Sequence, residues 1–81
     1  MKDEFLKQVL AEMVEAMKQA FAIVTTAVAM QTDAARLAKD LLGQIEAAQT
    51  NPKISPVAIQ LANGALAAAN AVNRVRSESR H

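Results

Sequence analysis

From Leu6 to Ala48, apolar side chains recur at alternating spacings of four and three residues. One row holds Leu6, Met13, Ala20, Ala27, Ala34, Leu41 and Ala48, and the other holds Leu10, Met17, Val24, Gln31, Ala38 and Ile45. Gln31 is the one polar member. A seam sustained this far is the pattern of a helix lying along another helix. A strand alternates with period two and cannot gather these residues on one face. The alanines in the seam predict close approach of helix backbones.

Composition points the same way. Alanine, the strongest helix former, occupies 18 of 81 positions, against two glycines and two prolines. The chain is therefore read as one all-α domain. A chain this short buries only about 60% of its unfolded surface, so a core of its own is marginal. With no cysteine to form disulfides, oligomerisation is the remaining common source of stability.

Between Ala20 and Met30 the pattern changes. Phe21, Ile23, Val24, Val28 and Met30 surround the helix instead of forming one stripe. A helix that is apolar all round requires cover on all sides, and in so small a chain other copies are the expected cover. Thr32-Asp33 has the chemistry of an N-cap, but no glycine or proline accompanies it. The clear interruption comes later, at Thr50-Asn51-Pro52-Lys53-Ile54-Ser55-Pro56. Asn51 is pushed from helical conformations by the following proline. Ser55 followed by Pro56 reads as an N-cap and first helical residue, and Ile54 as a staple onto the first turn.

The last helix is expected over about 56–76. Its main stripe is Val57, Leu61, Ala65, Ala68, Val72 and Val75, with a second edge of Ile59, Ala62, Leu66 and Ala69. Two apolar edges predict more than one neighbouring helix. Asn63 and Asn70 stand one heptad apart, with Ser77 a heptad further on. Such polar residues can set register in a tight interface, so Asn63 and Asn70 are expected at subunit contacts. Arg74 and Arg76 suit the negative end of the helix dipole. Residues 77–81 read as a polar tail.

Two arrangements remain open. The first is a hairpin, with a helix over about 3–49, a loop over 50–55 and the shorter helix after it. Its first arm would be about 70 Å long and its second about 32 Å, leaving the N-terminal turns to be covered by other chains. The alternative is a small three-helix bundle, in which the long helix breaks near 31–33.

Little in the chain suggests chemistry. The single histidine, His81, is terminal, and without cysteine no His- or Cys-based metal site is built. Glu12 and Glu15 share a helix face, and Asp40 and Glu46 lie further on, all on the polar side of the seam. Catalytic carboxylates need a dry pocket that separates their pKa values. Ser55, Ser77 and Ser79 lack a base to activate them. Gly43 and Gly64 are isolated and form no phosphate loop, and Gly64 reads as a close backbone contact. No cofactor, metal or catalytic residue is expected.

Charge excludes little else. The formal net charge is +1, with residues 52–81 carrying the basic surplus. This gives little attraction for nucleic-acid phosphates, and Phe5 and Phe21 are the only aromatic residues. A membrane span is not expected. The charge-free stretch Gln19–Thr32 is too short for the ~20 residues a span needs, and Ile54–Asn73 is too polar. The start, Met1-Lys2-Asp3-Glu4, is not that of a cleaved signal peptide. The expected location is cytoplasmic or within a larger particle or secretion structure.

The segment Asn51-Pro52-Lys53-Ile54-Ser55-Pro56 and the helix after it, in a chain free of Cys and Trp, resemble needle subunits of type III secretion systems. The likeness covers about a third of the chain. It implies subunits that stack into a helical filament, with both arms forming the tube. The strongly helical N-terminal segment departs from that family, whose members start more loosely.

The sequence thus predicts a non-enzymatic structural protein that packs against copies of itself. The alternative is a small adaptor, chaperone or inhibitor on a larger protein partner. The expected interface is Leu6, Leu10, Met13, Met17, Phe21, Val24, Val28 and Gln31 on the first helix, with Leu61, Asn63, Leu66, Asn70 and Val72 on the last.

Overall fold

The structure, a computed structural model, describes residues 2–79. Three helices account for nearly all of it: α1 (Lys2–Gln31), α2 (Ala34–Gln49) and α3 (Pro56–Ser79). The fold is all-α, with a long N-terminal helix and two shorter ones. The long first arm is divided at Thr32-Asp33.

That division needs no glycine or proline. Asp33 takes extended backbone angles, φ −76° and ψ 102°, and its side chain accepts hydrogen bonds from the N–H groups of Ala35 and Arg36. The carboxylate oxygen lies 3.1 Å from Ala35 N and 3.2 Å from Arg36 N. Two orphan donors at the start of α2 are thereby satisfied. On the other side of the break, the Thr32 hydroxyl donates back to the Val28 carbonyl at 3.0 Å.

The second connection follows the sequence closely. The Asn51 side chain accepts from Lys53 N at 3.0 Å, and Ile54 N donates to Asn51 O at 3.1 Å, closing a tight turn. The Ser55 hydroxyl oxygen accepts from Val57 N at 3.1 Å, which is the expected cap. Ile54 and Ile59 line one groove against α2. At the far end, α3 continues beyond the expected 76 to Ser79, whose hydroxyl donates to Val75 O at 2.9 Å. Part of the expected polar tail is therefore helix; Arg80 and His81 lie outside the described residues.

α3 is the element that both other helices share, while α1 and α2 touch each other little. Gly64 packs on Lys18, and further along Arg76 reaches Met30 and Thr32, so α1 and α3 run parallel. Leu41 and Ala48 of α2 share a groove with Ala58 and Ala62, whereas Ala34 and Ala35 lie beside Asn73 and Ser77, so α2 runs antiparallel to α3. Two neighbours for α3 match its two apolar edges. The described residues span 54 × 26 × 17 Å.

The core is made of small side chains. Among the described residues, the buried apolar ones are Ala29, Ala34, Ala38, Ala65, Ala69 and Ile45. Five alanines and one isoleucine let the backbones approach closely but bury little apolar area, at roughly 25 cal/mol per Å². Gly64 is buried too, and a Cβ added there would lie 2.6 Å from the Lys18 Cγ. This is the close contact the isolated glycine suggested. Gly43, by contrast, has open space around it.

Candidate interaction surface

The seam behaves differently on the two sides of Asp33. On α2 its members Ala34, Ala38 and Ile45 are buried, and Leu41 and Ala48 are half-buried against α3. On α1 its members Leu6, Leu10, Met13, Met17, Ala20, Val24, Ala27 and Gln31 are all exposed. α1 meets α3 through another face. Lys18, Ala22, Thr25 and Thr26 are half-buried there, and Ala29 is fully buried. Within the chain, then, the N-terminal half of the seam is not core.

The physical reason lies in side-chain size. α3 presents Gly64, Ala65, Ala68 and Ala69 in its middle, which favours the small-residue face of α1. Ala22 and Ala29 allow that close approach, whereas the Leu and Met side chains of the seam would hold the helices apart. Thr26 fits the same face because its hydroxyl donates to Ala22 O at 2.7 Å and so satisfies itself within the helix.

What remains is a ridge of large apolar side chains turned outward. Leu6 is 56% exposed, Met17 and Phe21 are each 47% exposed, and Leu10, Met13, Val24 and Val28 are similar. From Leu6 to Val28 the ridge runs about 33 Å along α1. Other apolar residues of α1 are also uncovered, with Phe5 at 70% and Ile23 at 71%. The segment expected to need cover on all sides is thus covered by its own chain at Ala29 but not at Phe21, Ile23, Val24 or Val28.

A second apolar surface lies between α1 and α3. Thr26, Met30, Ala68, Val72, Val75 and the stem of Arg76 line an open groove of about 290 Å³. Of the α3 residues expected at an interface, Val72 lines this groove, while Leu61 and Leu66 are half-buried. Asn63 and Asn70 are exposed on α3. The residues expected at the interface therefore do not form one patch. Those of α1 form the outward ridge, and those of α3 are divided between groove, packing face and solvent.

The groove closes at the end of α1 in a way the sequence did not reveal. The Arg76 guanidinium donates to Thr32 O at 2.5 Å and also to Met30 O. These are carbonyls that a helix C-terminus leaves without intrahelical partners. Arg76 was legible as a cation suited to the end of its own helix. Nothing local indicated that it would cap a different helix.

Among the described residues no cluster of three His, Cys, Asp or Glu is placed to hold a metal ion. By length and composition α1 is apolar enough to cross a membrane. Its charge-free part, Gln19–Gln31, is too short to span alone, and the apolar stretch continues toward the N-terminus past Lys18 and Glu15. No protein-family model, curated protein or solved structure matches the chain. The likeness to needle subunits accordingly rests on residues 51–56 and the helix after them alone.

Proposed function

We propose that this protein is a non-enzymatic structural subunit that self-assembles through the outward ridge of α1. The observation that carries the reading is the contrast between core and surface. The core holds one large side chain, Ile45, while the large apolar residues of α1 stand about half exposed in a continuous row. An apolar patch of this extent on a small chain marks an interaction surface. The interaction serves stability as well, since alanine packing alone gives a chain of this size little reserve.

A helix that is replicated in every copy is a natural partner for itself, and most soluble homo-oligomers pair such surfaces symmetrically. The groove between α1 and α3 is a separate apolar surface, so an assembly joined through the ridge still has a second face for growth into a larger particle. The same groove favours the second reading, in which the chain is an adaptor that seats a helix of a larger protein.

The test is a charge placed on the ridge. Met17→Lys is exposed and leaves the α3 packing face untouched, so the helix content of the folded chain should hold. The account expects the wild-type chain to run as an oligomer by light scattering and the variant to lose that mass at the same concentration. An oligomer undiminished by Met17→Lys would overturn the ridge as the contact. A monomeric wild-type chain would turn attention to the adaptor reading. A wild-type chain that is monomeric in buffer but co-sediments with phosphatidylcholine vesicles would instead assign α1 to the bilayer.

A further inference from the structure

We propose that two copies pair along α1 in antiparallel orientation, about a two-fold axis between Met17 and Ala20. This inference rests on the self-assembly reading and adds its geometry. The order of side-chain sizes along the seam carries it. The N-terminal half of the α1 seam is large throughout, with Leu6, Leu10, Met13 and Met17. The C-terminal half is smaller, with Ala20, Val24, Ala27 and Gln31.

In an antiparallel pair, residues equidistant from the axis face each other. Met17 then meets Ala20 of the second copy, Met13 meets Val24, and Leu10 meets Ala27. Leu6 meets Gln31 at each end, where the amide reaches solvent. In the three inner layers a larger residue is set against a smaller one, so the two helices stay evenly spaced along the whole contact. Interdigitation of large with small is how helical layers reach native packing density. A parallel pair would stack Leu on Leu and Met on Met at one end and Ala on Ala at the other. Its axes would splay by several ångströms over the ridge, and one end would lose contact.

Charge supports the same orientation. All seven charges of α1 lie between Lys2 and Lys18, and Gln19–Gln31 carries none. Antiparallel pairing sets each charged half beside an uncharged one and opposes the helix dipoles. Parallel pairing would place Asp3 against Asp3 and Lys7 near Lys2 of the other copy, like charges together. The surface is also long and continuous. The seven large ridge residues are each 45–60% exposed, in a row about 33 Å long. α3 lies on a different face of α1, so the ridge is open along its full length.

The chain has no cysteine, which makes disulfide trapping clean. Full-length Met13→Cys and Val24→Cys chains, one carrying a mass tag, would be oxidised separately and as an equimolar mixture. Antiparallel pairing predicts that the mixture forms the disulfide-linked heterodimer at least tenfold faster than either variant links to itself. Two copies of residue 13 would then lie about 16 Å apart along the axis, beyond the Cα spacing of roughly 4.4–6.8 Å that a disulfide spans. Rapid self-linking of Met13→Cys would overturn the inference in favour of a parallel pair. A wild-type dimer whose variants link in neither experiment would overturn it too, while leaving self-assembly standing. A wild-type monomer would overturn the self-assembly reading itself.

Discussion

Arg76 of α3 donates to the main-chain oxygen of Thr32 at 2.5 Å, so the end of α1 is capped by a side chain 44 positions away. The same guanidinium serves the Met30 carbonyl. The positive charge meets the negative end of the α1 dipole and satisfies carbonyls that the helix itself cannot. The contact also holds the C-terminal part of α3 at the α1–α2 turn, where Asp33 starts the next helix. The long seam is broken at this point by two capping devices, one local and one distant.

Removing the distant one has a measurable cost. Hydrogen bonds from a charged donor contribute about 1.5–3 kcal/mol, and Arg76 is half-buried. Arg76→Ala should destabilise the fold by about 1–2 kcal/mol. Urea unfolding followed by circular dichroism checks it, with Arg76→Lys expected to recover part of the loss. An unchanged midpoint for Arg76→Ala would show that the cap is not stabilising.

The local cap makes a sharper chemical distinction. Asp33→Ala removes the acceptor for Ala35 and Arg36 N–H and should cost about 1 kcal/mol. Asp33→Asn retains the acceptor and should cost much less. Thermal unfolding of the pair tests this. Equal losses would assign the effect to charge and not to the hydrogen bonds.

The two helical glycines should respond in opposite directions to the same substitution. Gly43 faces open space on α2, so Gly43→Ala should stabilise by up to about 1 kcal/mol through helix propensity. Gly64 lies against Lys18, and its added methyl would force the Lys18 side chain and then the α1–α3 spacing to adjust. Gly64→Ala should therefore show no such gain, and Gly64→Leu should destabilise by about 1–3 kcal/mol. Denaturant midpoints for the three variants decide it, and a gain at Gly64→Ala equal to that at Gly43→Ala would contradict the close packing.

The loop and its caps were legible because their chemistry is local. Asn51, Ser55 and the two prolines act on their immediate neighbours, and the structure uses Ser55 as the sequence implied. The two apolar edges of α3 were legible for the same reason. The turn at Thr32-Asp33 was only half visible, because its second support is Arg76, brought there by tertiary folding. The seam is the instructive case. Its periodicity marks an apolar face on α1 and another on α2, but it runs unbroken through the turn at Thr32-Asp33 and does not say what covers either face. From Ala34 onward it is α3. From Leu6 to Gln31 none of the described residues covers it, because Ala22 and Ala29 offer α3 a closer fit.

The most direct test of self-assembly through α1 is sedimentation velocity of the wild-type chain over a hundredfold concentration range, with helicity followed in parallel. The account predicts species larger than a monomer that grow with concentration and gain helix as they form. A helical monomer of constant mass across the whole range would contradict it.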